Sequence, residues 1–285
     1  MVQVSYTKDQ GLKQQGGSAS FSIESGIPLS GHVASTTKKN TFSILDLDDA
    51  KHAAAPAADD EIDFSNKYIL LANHKGEKFY LWFSIGGGGV DPAIAGATSI
   101  AIIEAAAQLN SVAKVQDAIV ARINHANNGN GVDYSQQGNR DTEVAAANFV
   151  AAEDGANVKI TMRAMGADAS AVITSVSQFE NLTDGNDGAL SMTVSSTPGE
   201  GSYLLPVGGI SNVSNSLLDG PSFVVLKSLT SNDHYGARKI VIRPANGGDF
   251  KLNDESDGLI HDFESVNDIA HLVWNGSSWK KLYSV

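Results

Sequence analysis

Two apolar runs separated by a short polar turn limit the possible folds of this chain more than any other stretch. The runs occupy residues 67–73 and 78–85, and His74-Lys75-Gly76-Glu77 lies between them. Two runs rich in apolar and aromatic residues, joined by four turn residues that include a glycine, are typical of a β-hairpin. Because each run is almost continuously apolar, we expect part of this sheet to be covered on both faces.

The residues after this hairpin predict a third strand and a helix. Glycines 86–89 and Asp91-Pro92 end the second strand, since glycine weakens a strand and proline cannot donate to its neighbour. The glycines lack the Lys-Ser/Thr of a phosphate-binding loop, so a turning loop is the preferred interpretation. Residues 99–103 predict the third strand. Ser111 stands at the N-cap position of a helix whose apolar residues recur every three or four positions, namely Val112, Val115, Ile119 and Ile123.

Short strands dominate the rest of the chain. Residues 149–152 and 158–162 predict a second hairpin, and residues 195–202 have the composition of a linker. Beyond residue 203, seven short runs with frequent turn signals predict a small β-sandwich or barrel. We therefore expect an α+β fold followed by an all-β fold. The predicted domains are an extended N-terminal arm (1–65), an α+β module of hairpin, strand, helix and hairpin (66–197), and a C-terminal β domain (203–285).

The first 65 residues are too polar to bury a core alone. Their apolar islands contain Phe21, Ile23, Phe42 and Ile44. One interpretation is a flexible tail. The other is an arm whose islands bind a partner by adding strands to the sheet edge of a neighbouring subunit.

Charge and composition exclude several classes of function. The 285 residues carry a net charge of −12, which argues against a general nucleic-acid surface. The absence of cysteine excludes disulfides, thiolate catalysis and cysteine-ligated zinc. No signal-peptide core and no run of about 18 apolar residues is present, which predicts a soluble protein made in a cytoplasm and free of the membrane.

One acidic stretch matches part of a calcium-loop template. Asn253, Glu255, Asp257 and Glu264 fall at positions 1, 3, 5 and 12 of that template. Asparagine replaces the usual aspartate at the first position, and the flanking residues have the pattern of strands. An acidic β-turn is therefore the competing interpretation, and no cofactor is predicted.

Aromatic residues near predicted loop tips give a candidate glycan contact. Trp274, Trp279 and Tyr235 are placed to stack on sugar rings, or alternatively to pack in the core or across strands. No histidine or serine lies in a recognised catalytic spacing, so no catalytic residue is predicted. Carboxylates are abundant enough for a glycosidase pair, although nothing distinguishes two of them.

Three stretches together resemble virion structural proteins of tailed bacteriophages. Residues 78–83, the glycines 86–89, Asp91-Pro92-Ala93, an apolar strand and an alanine-rich helix resemble a module of those proteins. The pair 149–152 and 158–161 is similar to the closing hairpin of that module. Residues 271–280 resemble the terminal hairpin of β domains on phage heads and fibres. The resemblance covers residues 67–165 and, more loosely, 203–285.

This resemblance implies a non-enzymatic, oligomeric particle component. The leading hypothesis is a capsid decoration (cement) or head-fibre protein, a homotrimer that binds the major capsid protein or other virion proteins through its N-terminal part. It would reside in the virion, after assembly in the host cytoplasm. A tail fibre or receptor-binding protein that contacts host glycan is the alternative, followed by a virion-associated glycan hydrolase. The lack of repeats or heptads favours the compact decoration protein over a long fibre.

Overall fold

A computed structural model shows a chain built mostly from β-strands that form several sheets. It describes residues 3–7, 11–15, 33–37, 40–48, 62–63, 67–85, 89–104, 109, 112–127, 133–134, 146–166, 171–177, 180–181, 191–199, 204–207, 209–214, 222–229, 236–244 and 248–284. The predicted β-rich character of the fold is confirmed.

The strands and the helix of the described residues are numbered along the chain. The first half contains β1 (Gln3–Thr7), β2 (Gly11–Gln15), β3 (Val33–Thr37), β4 (Asn40–Asp48), β5 (Ile62–Asp63), β6 (Tyr68–Ala72), β7 (Lys78–Ile85), β8 (Ala97–Glu104) and α1 (Val112–Asn124). The second half contains β9 (Phe149–Asp154), β10 (Asn157–Met165), β11 (Ile173–Val176), β12 (Glu180–Asn181), β13 (Ser191–Thr197), β14 (Leu204–Leu205), β15 (Gly209–Ser214), β16 (Ser222–Leu226), β17 (Arg238–Ile242), β18 (Phe250–Asp254), β19 (Leu259–Phe263), β20 (Ile269–Trp274) and β21 (Trp279–Ser284).

The predicted first hairpin, third strand and helix are all present. β6 and β7 pair antiparallel, β8 pairs parallel with β7, and β11 completes a four-stranded sheet in the order β11-β6-β7-β8. Gly76 gives the hairpin turn its left-handed backbone, with a φ of 76°. α1 buries Val115, Ile119 and Ile123, as their spacing predicts, whereas Ser111 lies outside the described residues. Within the described part of the chain, no helix is long and apolar enough to cross a membrane.

Strand β7 is buried on both faces, as its apolar sequence predicts. Phe79, Leu81 and Phe83 pack into the core on one face, and Tyr80 and Trp82 are buried on the other. The loop that follows β7 lies over this second face. Asp91 anchors the loop by accepting hydrogen bonds from Tyr80 Oη at 2.5 Å and Ser99 Oγ at 2.7 Å.

The glycine-rich loop packs too closely against β7 for a side chain at its last glycine. A Cβ on Gly89 would lie 2.8 Å from the Cα of Ser84. Close backbone approach is a common reason for glycine. Glycines 86–88 lie outside the described residues.

One eight-stranded sheet contains strands from both sides of the predicted linker at residues 195–202. Its order is β13-β4-β10-β16-β18-β19, with β9 paired to β10 and β14 paired to β16. The β9–β10 pair is the predicted second hairpin, and Gly155 opens its turn with a φ of 64°. β13 extends to Thr197, so the first residues of the predicted linker form a strand. The domain boundaries otherwise stay a prediction.

Strand β4 comes from the predicted arm, yet it pairs within its own chain. β10 and β13 flank it on its two sides. This pairing corrects the predicted strand addition to a neighbouring subunit for the island that contains Phe42 and Ile44. The physical reason is that Leu45 and Leu47, on the other face of β4, are buried in the core and so hold this strand within its own chain. Phe42 and Ile44 are half-buried, and their contact with a partner stays a prediction; Phe21 and Ile23 lie outside the described residues.

Two hydrophobic cores meet at strand β16. All five residues of β16 are buried, and alternate side chains point to opposite faces of a strand. Phe223 and Val225 belong to the first core, with β6–β8, α1, β9 and β10. Val224 and Leu226 belong to the second core, which includes residues of the five-stranded sheet β21-β20-β17-β15-β3. β16 therefore contributes to both cores.

Truncation of a β16 side chain tests this packing. We expect Leu226→Ala to lower the free energy of unfolding by about 2–5 kcal/mol, because Leu226 is fully buried and its loss leaves a cavity. Leu282→Ala is the matched control, since Leu282 is 53% exposed, and its effect should stay within about 0.5 kcal/mol. Urea unfolding followed by tryptophan fluorescence measures both. Equal effects of the two substitutions would contradict the assignment of Leu226 to a core.

Candidate functional site

A cleft of about 360 Å³ lies beside the buried strand β16, whose Ser222 and Phe223 form part of its wall. Its walls come from the β6–β7 turn, the helical turn at 146–148, β10, β16, β18 and the β18–β19 turn. The lining residues are His74, Ala146, Ala147, Asn148, Arg163, Ser222, Phe223, Lys251, Asn253 and Asp257. This volume lies in the lower part of the range for small-molecule sites, about 300–1,000 Å³.

Asn73 fixes the shape of one wall of the cleft. Its Oδ1 accepts hydrogen bonds from the backbone N–H groups of Lys75 and Glu77, both at 3.0 Å. Its Nδ2 donates to Asn148 Oδ1 at 2.9 Å. One buried amide thus closes the turn that carries His74 and orients the side chain of Asn148.

His74 lies in the wall of the cleft, where its ring contacts an aromatic side chain. Its ring stands edge-on to Phe223, with the ring centroids 5.3 Å apart. Burial lowers the pKa of His74, and the nearby Asp257 carboxylate opposes this shift with a smaller effect. The imidazole therefore loses its proton more easily than an exposed histidine does.

Arg163 brings a positive charge from β10 into the cleft lining. Its Nε donates to the carbonyl oxygens of Ala146 at 2.6 Å and Phe149 at 3.0 Å. These two bonds fix the orientation of the guanidinium. Burial lowers the pKa of Arg163. The guanidinium nevertheless stays protonated at neutral pH, because arginine is not deprotonated in proteins.

The other two charged lining residues have opposite charges beside them. Lys251 Nζ lies 3.5 Å from Asp262 Oδ2, and Asp257 forms an ion pair with Lys75. Both pairs are partly exposed, and such pairs contribute little to stability.

The structure does not bring together the four predicted calcium ligands. Asn253 and Asp257 line the cleft, whereas Glu255 Oε2 accepts a hydrogen bond from the backbone N–H of Ser228 at 2.8 Å. Glu264 follows Phe263, which pairs with Phe250 at the far end of the β18–β19 hairpin. Antiparallel pairing therefore carries the last predicted ligand away from the turn. In the part of the chain that the structure describes, no group of three or more histidine, aspartate or glutamate residues is arranged to hold a metal.

An acidic β-turn accounts for this stretch instead. Asp254 Oδ1 accepts hydrogen bonds from the backbone N–H groups of Ser256 at 2.9 Å and Gly258 at 2.8 Å. Aspartate side chains commonly close turns in this way. The competing interpretation of the sequence is the one that fits the structure, and Asp254 is the residue that the template overlooked.

Two of the predicted glycan-binding aromatics are buried. Trp274 and Trp279 are 2% and 5% exposed and contact each other edge-on in the second core, with centroids 5.6 Å apart. Trp279 Nε1 also donates to the carbonyl oxygen of Lys227 at 3.0 Å. This placement corrects the prediction of sugar stacking in favour of the alternative core role. Tyr235 lies outside the described residues.

A second polar cluster lies away from the cleft and joins α1 to β8. Tyr134 Oη donates to Glu104 Oε1 at 2.8 Å, and the guanidinium carbon of Arg122 lies 4.9 Å from the centre of the Tyr134 ring. All three side chains are buried. Burial raises the pKa of Tyr134, and its hydrogen bond to Glu104 raises it further. These contacts give the buried polar groups partners within the protein.

The stability of the protein should decrease as His74 becomes protonated. Its pKa is lower in the folded chain than the unfolded value of about 6.5, so the unfolded chain binds the proton more tightly. Stability is therefore complete above about pH 6.5 and falls as the pH decreases toward the folded pKa. Urea midpoints at pH 7.5 and 5.5 measure this change, and His74→Leu should reduce the difference between them. Replacing His271 by leucine is the control, and an equal reduction there would contradict the role of His74.

Any functional argument for this chain rests on its own residues, because comparisons with known proteins found no match. No protein-family model matches the chain, no curated protein matches it, and no solved structure matches it.

Proposed function

We propose that the chain is a non-enzymatic structural component of a tailed-bacteriophage virion, of the capsid decoration (cement) or head-fibre type. In this proposal it binds the capsid shell through its N-terminal part and stabilises it, while an α+β module carries a C-terminal β domain outward. The observation that supports an assembly role is the open edge of strand β13.

Strand β13 has the properties of an edge that pairs with another chain. Its seven residues pair with β4 along their whole length without a register shift. Within the described residues no strand pairs with its other edge. Residues 193–197 are exposed, and the strand contains no charged residue and no proline. Soluble proteins usually protect edges with charge, proline, bulges or short length, because open edges template pairing.

Two other edges of the fold are protected. β21 carries Lys280 and Lys281 and has a register shift against β20. β19 carries Asp262 and has a register shift against β18. The contrast with β13 favours β13 as the edge that a second copy of the chain would use.

Pairing at this edge would stabilise an assembly without any reactive group. Backbone hydrogen bonds across a seven-residue strand give register, and neighbouring side chains add buried area. A partner that binds only the folded state of the chain raises the stability of that state by mass action. In the proposed homotrimer, β13 of each copy would pair with a different edge of the next copy, because two β13 strands paired with each other would form a two-fold dimer. The major capsid protein or another virion protein is the further proposed partner.

A tail fibre or receptor-binding protein remains the alternative, and a glycan hydrolase is less favoured. The predicted contact with host glycan rested on Trp274, Trp279 and Tyr235. The two tryptophans are buried, and Tyr235 lies outside the described residues.

A charge on the β13 edge tests the assembly proposal. We expect the wild-type chain to associate and Val194→Lys to give the monomer mass of 29.8 kDa, because a lysine on the edge opposes strand pairing. Light scattering after size exclusion, over a range of concentrations, measures the mass. Leu259→Lys on β19, at the other end of the same sheet, is the control and should leave the association unchanged.

A wild-type protein that stays monomeric at every concentration would contradict self-association through β13. Equal dissociation by Leu259→Lys would show that charge alone, and not its position, controls the mass. The virion role has its own test, in which an antibody detects the chain in density-purified phage particles. Absence of the chain from those particles would contradict the proposal.

A further inference from the structure

The edge of strand β8 is a second long, unprotected sheet edge of this fold. β8 lies at one end of the four-stranded sheet and pairs with β7 along all eight of its residues without a register shift. In the part of the chain that the structure describes, no strand pairs with its other edge. The strand contains no lysine, arginine, aspartate or proline. It therefore lacks the features by which proteins usually protect a sheet edge.

The single charged residue of β8 does not protect this edge either. Glu104 is 2% exposed, and its Oε1 accepts a hydrogen bond from Tyr134 Oη at 2.8 Å. Tyr134 Oη also lies 3.4 Å from the carbonyl oxygen of Ile103, but a hydroxyl group donates only one hydrogen, and the carboxylate is the nearer acceptor. The buried carboxylate therefore leaves the edge without an exposed charge.

Two further edges of the described sheets are protected. On β9, the side chain of Asn124 bonds both backbone groups of Ala151, with Nδ2 2.7 Å from the backbone oxygen and Oδ1 2.9 Å from the backbone nitrogen. β11 is four residues long and has a register shift against β6. β8 and β13, with eight and seven residues, are the longest edge strands among the described residues. These two edges therefore differ from the others as surfaces for strand pairing.

The backbone of β8 is fixed from both faces of its sheet. Ser99 Oγ accepts a hydrogen bond from Trp82 Nε1 at 2.9 Å and donates to Asp91 Oδ2 at 2.7 Å, which ties the strand to the covering loop. On the opposite face, Ile100 and Ile102 are fully buried in the first core. A strand that is already ordered loses less conformational entropy when it binds a partner. The β8 edge therefore presents preformed backbone hydrogen-bonding groups to another strand.

An exposed β-branched side chain lies on each of the two edges. Ile103 on β8 is 39% exposed, and Val194 on β13 is 36% exposed. β-branched side chains favour paired strands, because they pack against neighbours on the adjoining strand. Pairing of β13 with β8 would remove apolar surface of both residues from water.

Charge also favours contact between these two edges. The chain has a net charge of −12, so two copies repel each other over most of their surfaces. Like charges on directly opposed residues destabilise paired strands. β13 has no charged residue, and the one carboxylate of β8 is buried. Contact between β13 and β8 therefore places no such charges together.

We propose that β13 of one copy pairs with the β8 edge of the next copy. This pairing rests on the proposed assembly role of β13 and identifies the surface that receives this strand. Because the two edges are different, every added copy keeps one edge for a further copy, until the rotation between neighbours closes a ring. Three copies would then join the eight-stranded sheet of each copy to the four-stranded sheet of its neighbour.

A lysine on the β8 edge tests this pairing through the mass of the assembly. We expect Ile103→Lys to give the monomer mass of 29.8 kDa, because the new charge lies on the edge that receives β13. Val266→Lys makes the same kind of change on the β19–β20 turn, where Val266 is 59% exposed, and should keep the wild-type mass. Light scattering over a range of concentrations measures the mass, and urea midpoints establish that both variants stay folded.

Cross-linking identifies which strands lie side by side. The chain has no cysteine, so Val194→Cys and Ile103→Cys each introduce a single thiol, and a short bis-maleimide joins two such thiols through thioether bonds. We expect a covalent dimer when the two variants are diluted together, concentrated and treated, and monomer when either variant is treated alone. Val266→Cys mixed with Val194→Cys is the control and should stay monomeric.

Three results would overturn the proposal. These are the wild-type mass for Ile103→Lys, a covalent dimer of Val194→Cys alone, and no covalent dimer in the mixture of Val194→Cys and Ile103→Cys. In each case an associating wild type and a monomeric Val194→Lys would leave the assembly role of β13 intact. A wild type that stays monomeric at every concentration contradicts that role itself and this pairing with it, so the two failures are distinguishable.

Discussion

Burial of both faces of strand β16 is the constraint on which the two cores depend. Phe223 and Val225 pack on one side, and Val224 and Leu226 pack on the other. Because neighbouring side chains of a strand point in opposite directions, displacement of this strand would expose both cores at once. Ser222 and Phe223 also line the cleft. The packing that holds the cores together therefore sets the shape of the candidate site.

The positive charge of Arg163 in the lining of the cleft is costly for folding. Taking a charge out of water opposes folding, and replacement of buried charged groups by apolar ones is often neutral or stabilising. The hydrogen bonds from Arg163 Nε to two backbone carbonyls offset part of this cost. Burial still lowers the pKa of Arg163.

Local patterns predicted the local parts of the fold. The hairpins at β6–β7 and β9–β10 and the helix α1 follow from turn residues and spacing within a few positions of each other. The pairing of β4 with β10 joins residues more than 100 positions apart, as in Leu45 with Val158, and no short pattern specifies such a partner. β15 escaped prediction because Gly209, Ser211 and Asn212 interrupt its apolar residues. The cleft combines five separate segments of the chain, and no short sequence pattern joins them.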